Sequence, residues 1–144
     1  MDPANSLDSA NSVDSSNPGA IHPIRLAEEL RKLRSRAGEV SSITLVKTDT
    51  LRIVLMALRA GARLHEHHAD GRLSVQVLEG EIEFGVDSGQ CQLGPGTLIS
   101  LEARVAHRVT ARSDATLLLT IAWPSAESAA EQAAAAAHRT VGYS

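Results

Sequence analysis

The chain has 144 residues, of which 43% are hydrophobic and only 2% are aromatic. The length favours a single domain, and the scarcity of aromatic rings argues against a stacking platform for single-stranded nucleic acid. The net charge of −3 comes from residues 1–20, which carry three Asp and no Lys or Arg. The remaining body is neutral, and a neutral body offers no electrostatic attraction for nucleic acid or for an anionic membrane.

Cysteine content and hydropathy set the expected compartment. Cys91 is the only cysteine, which excludes an intramolecular disulfide and a multi-cysteine metal site. The longest apolar runs have the length of a strand, and the chain does not open with a basic segment followed by an apolar one. Neither a transmembrane helix nor a secretory signal is predicted, and we expect a cytoplasmic protein.

Both ends of the chain differ in composition from its middle. Residues 1–20 are rich in Ser, Asn, Asp and Ala and contain a short tandem repeat, so they are predicted to form a disordered tail. Residues 125–144 are rich in Ala. Ser128 and Glu131 resemble a helix capping box, but the segment has few large side chains to bury, and it is predicted to form a marginal terminal helix.

A helix is predicted within residues 21–38, roughly from position 23 to position 37. Pro23 suits a first helical turn because its missing N–H group would have no partner there, and Gly38 is a favourable end. Apolar side chains recur at helical spacing at Leu26, Leu30 and Leu33. Such a stripe is typical of a helix that packs against the body of its own chain or against a partner subunit.

Residues 39–124 are predicted to form an all-β domain. Short runs rich in β-branched and apolar residues alternate with turn signals that contain Gly, Pro, Asp or Ser. The predicted strands are 42–48, 50–59, 63–68, 73–79, 80–86, 90–93, 97–101, 107–112 and 115–123. Many short strands with no helical pattern between them favour an antiparallel sandwich or barrel.

Histidines are concentrated near the ends of two predicted strands. His65, His67 and His68 occupy one short stretch ahead of the predicted strand 73–79. His107 follows further along the chain, directly after another predicted turn. Histidines from two separate strand ends predict a shared site across the mouth of a β-barrel.

The spacing of these residues resembles the two motifs of the cupin superfamily. In the second motif a Gly is followed by Pro, Gly, His and Asn at set intervals, and here Gly96 and His107 keep the interval between the first Gly and the His. Glu102, Arg104 and Ala111 replace the Pro, the second Gly and the Asn. By this resemblance His107 corresponds to the third metal-binding histidine of the family.

The first cupin motif is matched less completely. Counted forward from Gly61, the first metal histidine of the family falls on His67 and the second on Ala69. Counted back from the closing glycine of the motif, the second histidine falls on Ala69 or His68, and the family's glutamate falls on Leu73. The resemblance therefore implies a site that lacks the usual carboxylate ligand.

Strand alternation adds an independent constraint on the histidine cluster. Successive side chains of a strand point to opposite faces, so His65 and His67 are predicted to share one face, and Glu66 and His68 the other. We favour His67 as the inward-facing residue with His65 behind it. His68 remains the alternative in the other register.

The resemblance also implies the architecture and the ligands. It implies an antiparallel jelly-roll β-barrel of the cupin type with an N-terminal helix and a short C-terminal helical tail, and it places Leu73, Val75 and Val77 inside the barrel. A divalent metal (Zn, Fe, Mn, Ni or Cu) is predicted at the ligands His67, His107, His65 and His68. Small cupins commonly pair, so a homodimer is expected.

Two functions remain open at this point. One is the non-catalytic binding or sensing of a small molecule in a histidine-lined pocket, which the missing carboxylate and the lack of an evident general acid or base favour. The other is a metal-dependent enzyme of the oxygenase, isomerase or lyase type that acts on a small organic substrate. No residue is assigned a catalytic role, and a small-molecule partner, without nucleic acid or membrane, is expected in both cases.

Overall fold

The computed structural model describes residues 19–127, 130–131 and 133–135. The predicted disordered tail, apart from its last two residues, lies outside this part of the chain, as do Ser128 of the predicted capping box and residues 136–144. Positions 126–127, 130–131 and 133–135 have a helical backbone. In the described ranges no helix is long and apolar enough to cross a membrane.

The domain between residues 26 and 122 contains one helix followed by nine strands. Helix α1 is Leu26–Arg34, and the strands are β1 (Val40–Lys47), β2 (Leu51–Leu58), β3 (Arg63–His67), β4 (Arg72–Glu79), β5 (Ile82–Val86), β6 (Gly89–Leu93), β7 (Leu98–Leu101), β8 (His107–Ala111) and β9 (Ala115–Ala122). Every predicted strand therefore overlaps an observed strand, and the bounds differ by at most two residues. Short apolar runs broken by turn residues suffice to place the strands of this chain.

Helix α1 is shorter than the predicted helix at both ends. Arg25 at its N-terminus is extended (φ −93°, ψ 103°) and supplies no side-chain cap, so Pro23 lies outside the helix and not in its first turn. At the other end the hydroxyl of Ser35 donates a hydrogen bond to the carbonyl of Lys32 (2.8 Å). Gly38, with a φ of 120°, then turns the chain toward β1.

The strands form two antiparallel sheets. The larger sheet has the order β1-β2-β9-β4-β7, and the smaller sheet has the order β3-β8-β5-β6. Strands that are distant in sequence, such as β2 and β9, lie side by side and pair over their full length. This crossing connection is typical of a jelly roll. The structure thus confirms the predicted antiparallel jelly-roll barrel with an N-terminal helix.

The inner face of the larger sheet contributes to the main apolar core. Leu73, Val75 and Val77 of β4 are buried in it, as the resemblance implied, together with Phe84 of β5 and Leu117 of β9. Because alternate residues of a strand face the same side, one row of apolar side chains from each strand is enough to fill the barrel. The interior is therefore packed with hydrocarbon over most of its length.

Helix α1 covers the outer face of the same sheet. Leu33 of α1 packs with Ile43, Leu45 and Leu55 in a second apolar core, and the other two leucines of the predicted stripe are packed against it. The stripe thus packs against the body of its own chain, which was one of the two predicted packing partners, the other being a partner subunit. The homodimer stays a prediction, and the stripe, which is covered within its own chain, gives no support to it.

A candidate histidine site at one end of the barrel

The chain connections bring the ends of four strands together at one end of the barrel. The loop of residues 68–71 joins the end of β3 to the start of β4, and the loop of residues 102–106 joins the end of β7 to the start of β8. Within the larger sheet, Leu73 near the start of β4 pairs with Leu101 at the end of β7. His67, the last residue of β3, and His107, the first residue of β8, both lie here, and we call this the histidine end.

A bulge in β3 decides which residue lies opposite His107. Leu64 pairs with Val109, and regular pairing would bring Glu66 opposite His107. The register shifts by one residue between Leu64 and His67, so His67 pairs with His107. A bulge of this kind redirects side chains at the rim of a barrel. The strict alternation assumed for residues 63–68 is therefore interrupted, although the expected residue, His67, is the one that meets His107.

The two imidazole rings are in direct contact. Their centroids are 4.2 Å apart and the ring planes are inclined by 61°. His107 is only 3% exposed and also stacks on Phe84, with centroids 5.5 Å apart and an interplanar angle of 11°. His67 lies on the exposed side of this pair. The pair thus has one ring held in the apolar core and one ring open to solvent.

Backbone hydrogen bonds set the tautomer of both rings. Nδ1 of His67 lies 2.7 Å from the carbonyl oxygen of His65, and Nδ1 of His107 lies 3.1 Å from the carbonyl oxygen of Val105. A carbonyl oxygen only accepts, so Nδ1–H is the donor in each ring. When a ring is neutral, its Nε2 carries the free lone pair. The same arrangement orients the histidine ligands of many metal sites.

The surroundings keep His107 neutral near pH 7. Burial lowers the pKa of His107 below its ordinary value of 6.5. The hydrogen bond to Val105 raises this pKa in part, while the positive charges of protonated His67 and His68 lower it further. His107 therefore presents an uncharged imidazole, which is the form that ligates a metal or accepts a proton.

The other two histidines of the cluster do not join this contact. His65 is exposed, and the hydrogen bond described for it uses its backbone carbonyl. His68 is exposed as well, with Nε2 3.9 Å from Oδ1 of Asp70. In the described ranges no group of three or more His, Cys, Asp or Glu side chains is placed to hold a metal ion. Of the four predicted ligands the structure brings together two, and metal binding itself stays a prediction.

Sequence reasoning did not single out Arg52, which also lies at the histidine end. Arg52 is on β2, where it pairs with Ile121 near the end of β9. Its guanidinium lies over the ring of Trp123, with 5.6 Å from Cζ to the ring centroid. The available signal was a single charged residue within an otherwise apolar strand, Leu51–Leu58.

A cleft of about 270 Å³ opens at the opposite end of the barrel, where α1 meets the end of β4. Arg34 and Glu79 form an ion pair at its edge, and Nε of Arg59 donates to the carbonyl of Gly38 (3.0 Å). Glu79 ends β4, whereas the histidine end lies at its first residue, Arg72. The cleft is therefore separate from the histidine pair.

The antiparallel jelly-roll barrel with a histidine pair at one mouth is the architecture that the cupin motifs implied. Residues 53–123 match the family model of the cupin domain. The chain therefore contains a cupin domain, as its motifs predicted. No curated protein matches the sequence.

Solved structures agree with this assignment. A cupin superfamily protein from Desulfitobacterium hafniense is 22% identical, with a TM-score of 0.62 over 74% of this chain and 94% of its own. A conserved protein of unknown function from Streptococcus pyogenes is 28% identical, with a TM-score of 0.57 over 60% of this chain and 76% of its own. A variant of salicylate 1,2-dioxygenase from Pseudoaminobacter salicylatoxidans is 19% identical, with a TM-score of 0.63 over 69% of this chain but only 34% of its own. At these identities the comparison supports the fold and leaves the activity to the site.

Proposed function

We propose that the protein is a non-catalytic cupin that binds a small molecule at the His67–His107 pair, with a divalent transition metal between the imidazoles and the molecule. The observation that carries the proposal is the hydrogen bonding of both Nδ1 atoms to backbone carbonyls. Each of the two adjacent rings thereby keeps the lone pair of its own Nε2 available, either to a metal ion or to a hydrogen-bond donor of the ligand.

The donor set fits a transition metal in part. Imidazole nitrogen suits Zn, Fe, Ni and Cu better than Mn, which prefers oxygen ligands. His67 and His107 would supply two ligands, and water or the bound molecule would complete the coordination. When bound, the ion supplies a Lewis-acidic contact for an oxygen atom of that molecule.

The barrel interior supports binding in preference to catalysis. Leu73, which stands where the family has its glutamate, is 3% exposed and packed in the apolar core. A leucine there neither transfers a proton nor compensates the charge of a dication, whereas general acid–base catalysis needs a titratable group within hydrogen-bond reach of the reacting atoms. A site of this composition is suited to hold a ligand.

Titration with Ni²⁺ by isothermal calorimetry tests this proposal. We expect the wild-type protein to bind Ni²⁺, and His67→Ala and His107→Ala to bind it about tenfold or more weakly, because each removes one of two ligands. His22→Ala is the matched control, since His22 is an exposed histidine ahead of α1. Equal Ni²⁺ affinity of the wild type and His107→Ala would contradict the proposal.

The alternative function, a metal-dependent enzyme, rests on the buried and neutral imidazole of His107, which is a competent proton acceptor. Oxygen consumption by Fe²⁺-loaded protein in the presence of salicylate is one assay for it. Turnover that is lost in His107→Ala and kept in His22→Ala would replace the binding proposal with the enzymatic one.

We also propose that the protein is a cytoplasmic homodimer that pairs through a sheet edge. β7 is an edge strand of the larger sheet, and Leu98 on it is 58% exposed. Edge strands offer unpaired backbone groups to a second copy. Sedimentation of a single species of 15.2 kDa would contradict the dimer.

A further inference from the structure

Arg52 lies on the barrel-facing side of the larger sheet. It pairs with Ile121, which pairs in turn with Leu73. Directly opposed residues of an antiparallel sheet share a face, and both of these partners pack in the barrel core. The remaining residues on this side of β2, β9, β4 and β7 are apolar. Arg52 is therefore the single charged side chain on the barrel-facing side of these four strands, and its partner on the fifth strand, β1, is a second cation, Lys47.

The pairing also places Arg52 at the histidine end. Leu51 and Arg72 both pair with Ala122, so the first residues of β2 and β4 lie at the same end of the sheet. Arg72 follows directly on the loop that begins after His67. A permanent positive charge and the imidazole pair thus belong to one mouth of the barrel.

The Arg52 side chain is held in place, but one of its donors is unused. The guanidinium lies over the ring of Trp123, and the backbone N–H of Trp123 donates to the carbonyl of Thr50 (2.9 Å). Nε of Arg52 is buried and has no hydrogen-bond partner among the residues that the structure describes. A buried donor without an acceptor costs free energy, and native structures satisfy nearly all of them. Within the described part of the chain, nothing is placed to accept a hydrogen bond from this N–H group.

We propose that Arg52 binds the carboxylate of a small organic acid at the histidine end, an inference that rests on the proposed binding function. The planar guanidinium stays charged and presents paired N–H donors whose spacing matches the two oxygens of a carboxylate. Apolar surroundings strengthen such a charged hydrogen bond. The ligand class is therefore anionic, and a neutral analogue would leave both the charge and the donor uncompensated.

The fluorescence of Trp123 reports on this site, because Trp123 is the only tryptophan of the chain and contacts Arg52. The probes are acetate, benzoate and oxalate, each tested beside its neutral amide. Arg52→Met keeps the length of the side chain and removes its charge, and Arg52→Lys keeps the charge and removes the paired donors. Arg31→Met is the matched control, since Arg31 is an exposed arginine of α1.

We expect at least one of the three acids to bind the wild type and Arg31→Met alike, and to bind Arg52→Met at least about tenfold more weakly. Arg52→Lys should be intermediate, and the amides should not bind. The proposal is overturned if none of the acids binds the wild type, if Arg52→Met binds them as tightly as the wild type, or if an amide binds as well as its acid.

The Ni²⁺ titration separates this inference from the function on which it rests. If Ni²⁺ binding depends on His107 but acid binding does not depend on Arg52, the role of Arg52 is overturned and the proposed function is kept. Acid binding that depends on Arg52, in a protein that does not bind Ni²⁺, overturns the metal and keeps the role of Arg52.

Discussion

The backbone N–H of Arg104 donates a hydrogen bond of 2.8 Å to the carbonyl of Ala69 and thereby joins the two loops of the histidine end. Ala69 belongs to the loop that follows His67, and Arg104 to the loop that precedes His107. Among the residues that the structure describes, Arg104 is the one non-glycine residue with a positive φ, 68°. It stands where the second cupin motif has a glycine, so the chain keeps the left-handed turn of the motif without its usual residue.

Arg104→Gly should stabilise the protein. A left-handed backbone costs an L-residue about 1–2 kcal/mol, and the greater freedom of glycine in the unfolded chain offsets about 0.5–1 kcal/mol of the relief. We expect the free energy of unfolding in urea to rise by about 0.5–1 kcal/mol. Glu102→Gly, in the same loop but without a positive φ, should lower it by about 0.5–1 kcal/mol. A variant Arg104→Gly that is no more stable than the wild type would show that the strain is relieved elsewhere.

Two glycines with similar φ values allow the cost of a left-handed backbone to be measured apart from the cost of a steric clash. Gly61 (φ 86°) and Gly80 (φ 77°) both lie in the left-handed region. A Cβ at Gly61 would meet nothing within 4 Å, whereas a Cβ at Gly80 would lie 2.1 Å from the carbonyl oxygen of Asp114. Gly61→Ala should therefore cost about 1 kcal/mol of unfolding free energy, and Gly80→Ala more than about 3 kcal/mol. Equal losses in urea denaturation would contradict the close approach of the loop at residues 80 and 114.

Stability should fall in mild acid through His107. Because burial lowers its pKa in the folded state below the ordinary 6.5, the unfolded chain binds a proton more readily than the folded one. The contribution of neutral His107 is complete above pH 6.5 and is lost as the pH falls through that value toward the lowered pKa. In the presence of a chelator, His107→Gln should flatten the dependence of the unfolding free energy on pH between about 7.5 and 5. A slope identical to that of the wild type would mean that other groups carry the effect.

The second apolar core should depend on α1. Leu33 is 1% exposed and packs against three residues of β1 and β2. Leu33→Ala should lower the free energy of unfolding by about 2–4 kcal/mol, because it removes buried methyl groups and leaves a cavity. Leu98→Ala, at a 58% exposed position, should change it by less than about 0.5 kcal/mol in a monomer. A large loss for Leu98→Ala that depends on protein concentration would instead support pairing through β7.

Periodicity alone determined the positions of the strands and the apolar stripe of α1. These features depend on neighbours a few residues apart, and alternation or helical spacing reports them directly. The resemblance to the cupin motifs placed His107 in the second motif, indicated His67 in the first and implied the inward row of β4. It also showed that Leu73 stands in place of a carboxylate.

Long-range pairing decided the rest of the site. The bulge in β3 brings His67, and not Glu66, opposite His107, and it is visible only when the register against β8 is known. The side of the sheet that carries Arg52 follows from its pairing with β9, whose residues lie far away in sequence. A shift of one residue reverses the face of every side chain beyond it, so the site depends on register. Of the three histidines in the stretch 65–68, only His67 contacts His107 in the folded chain.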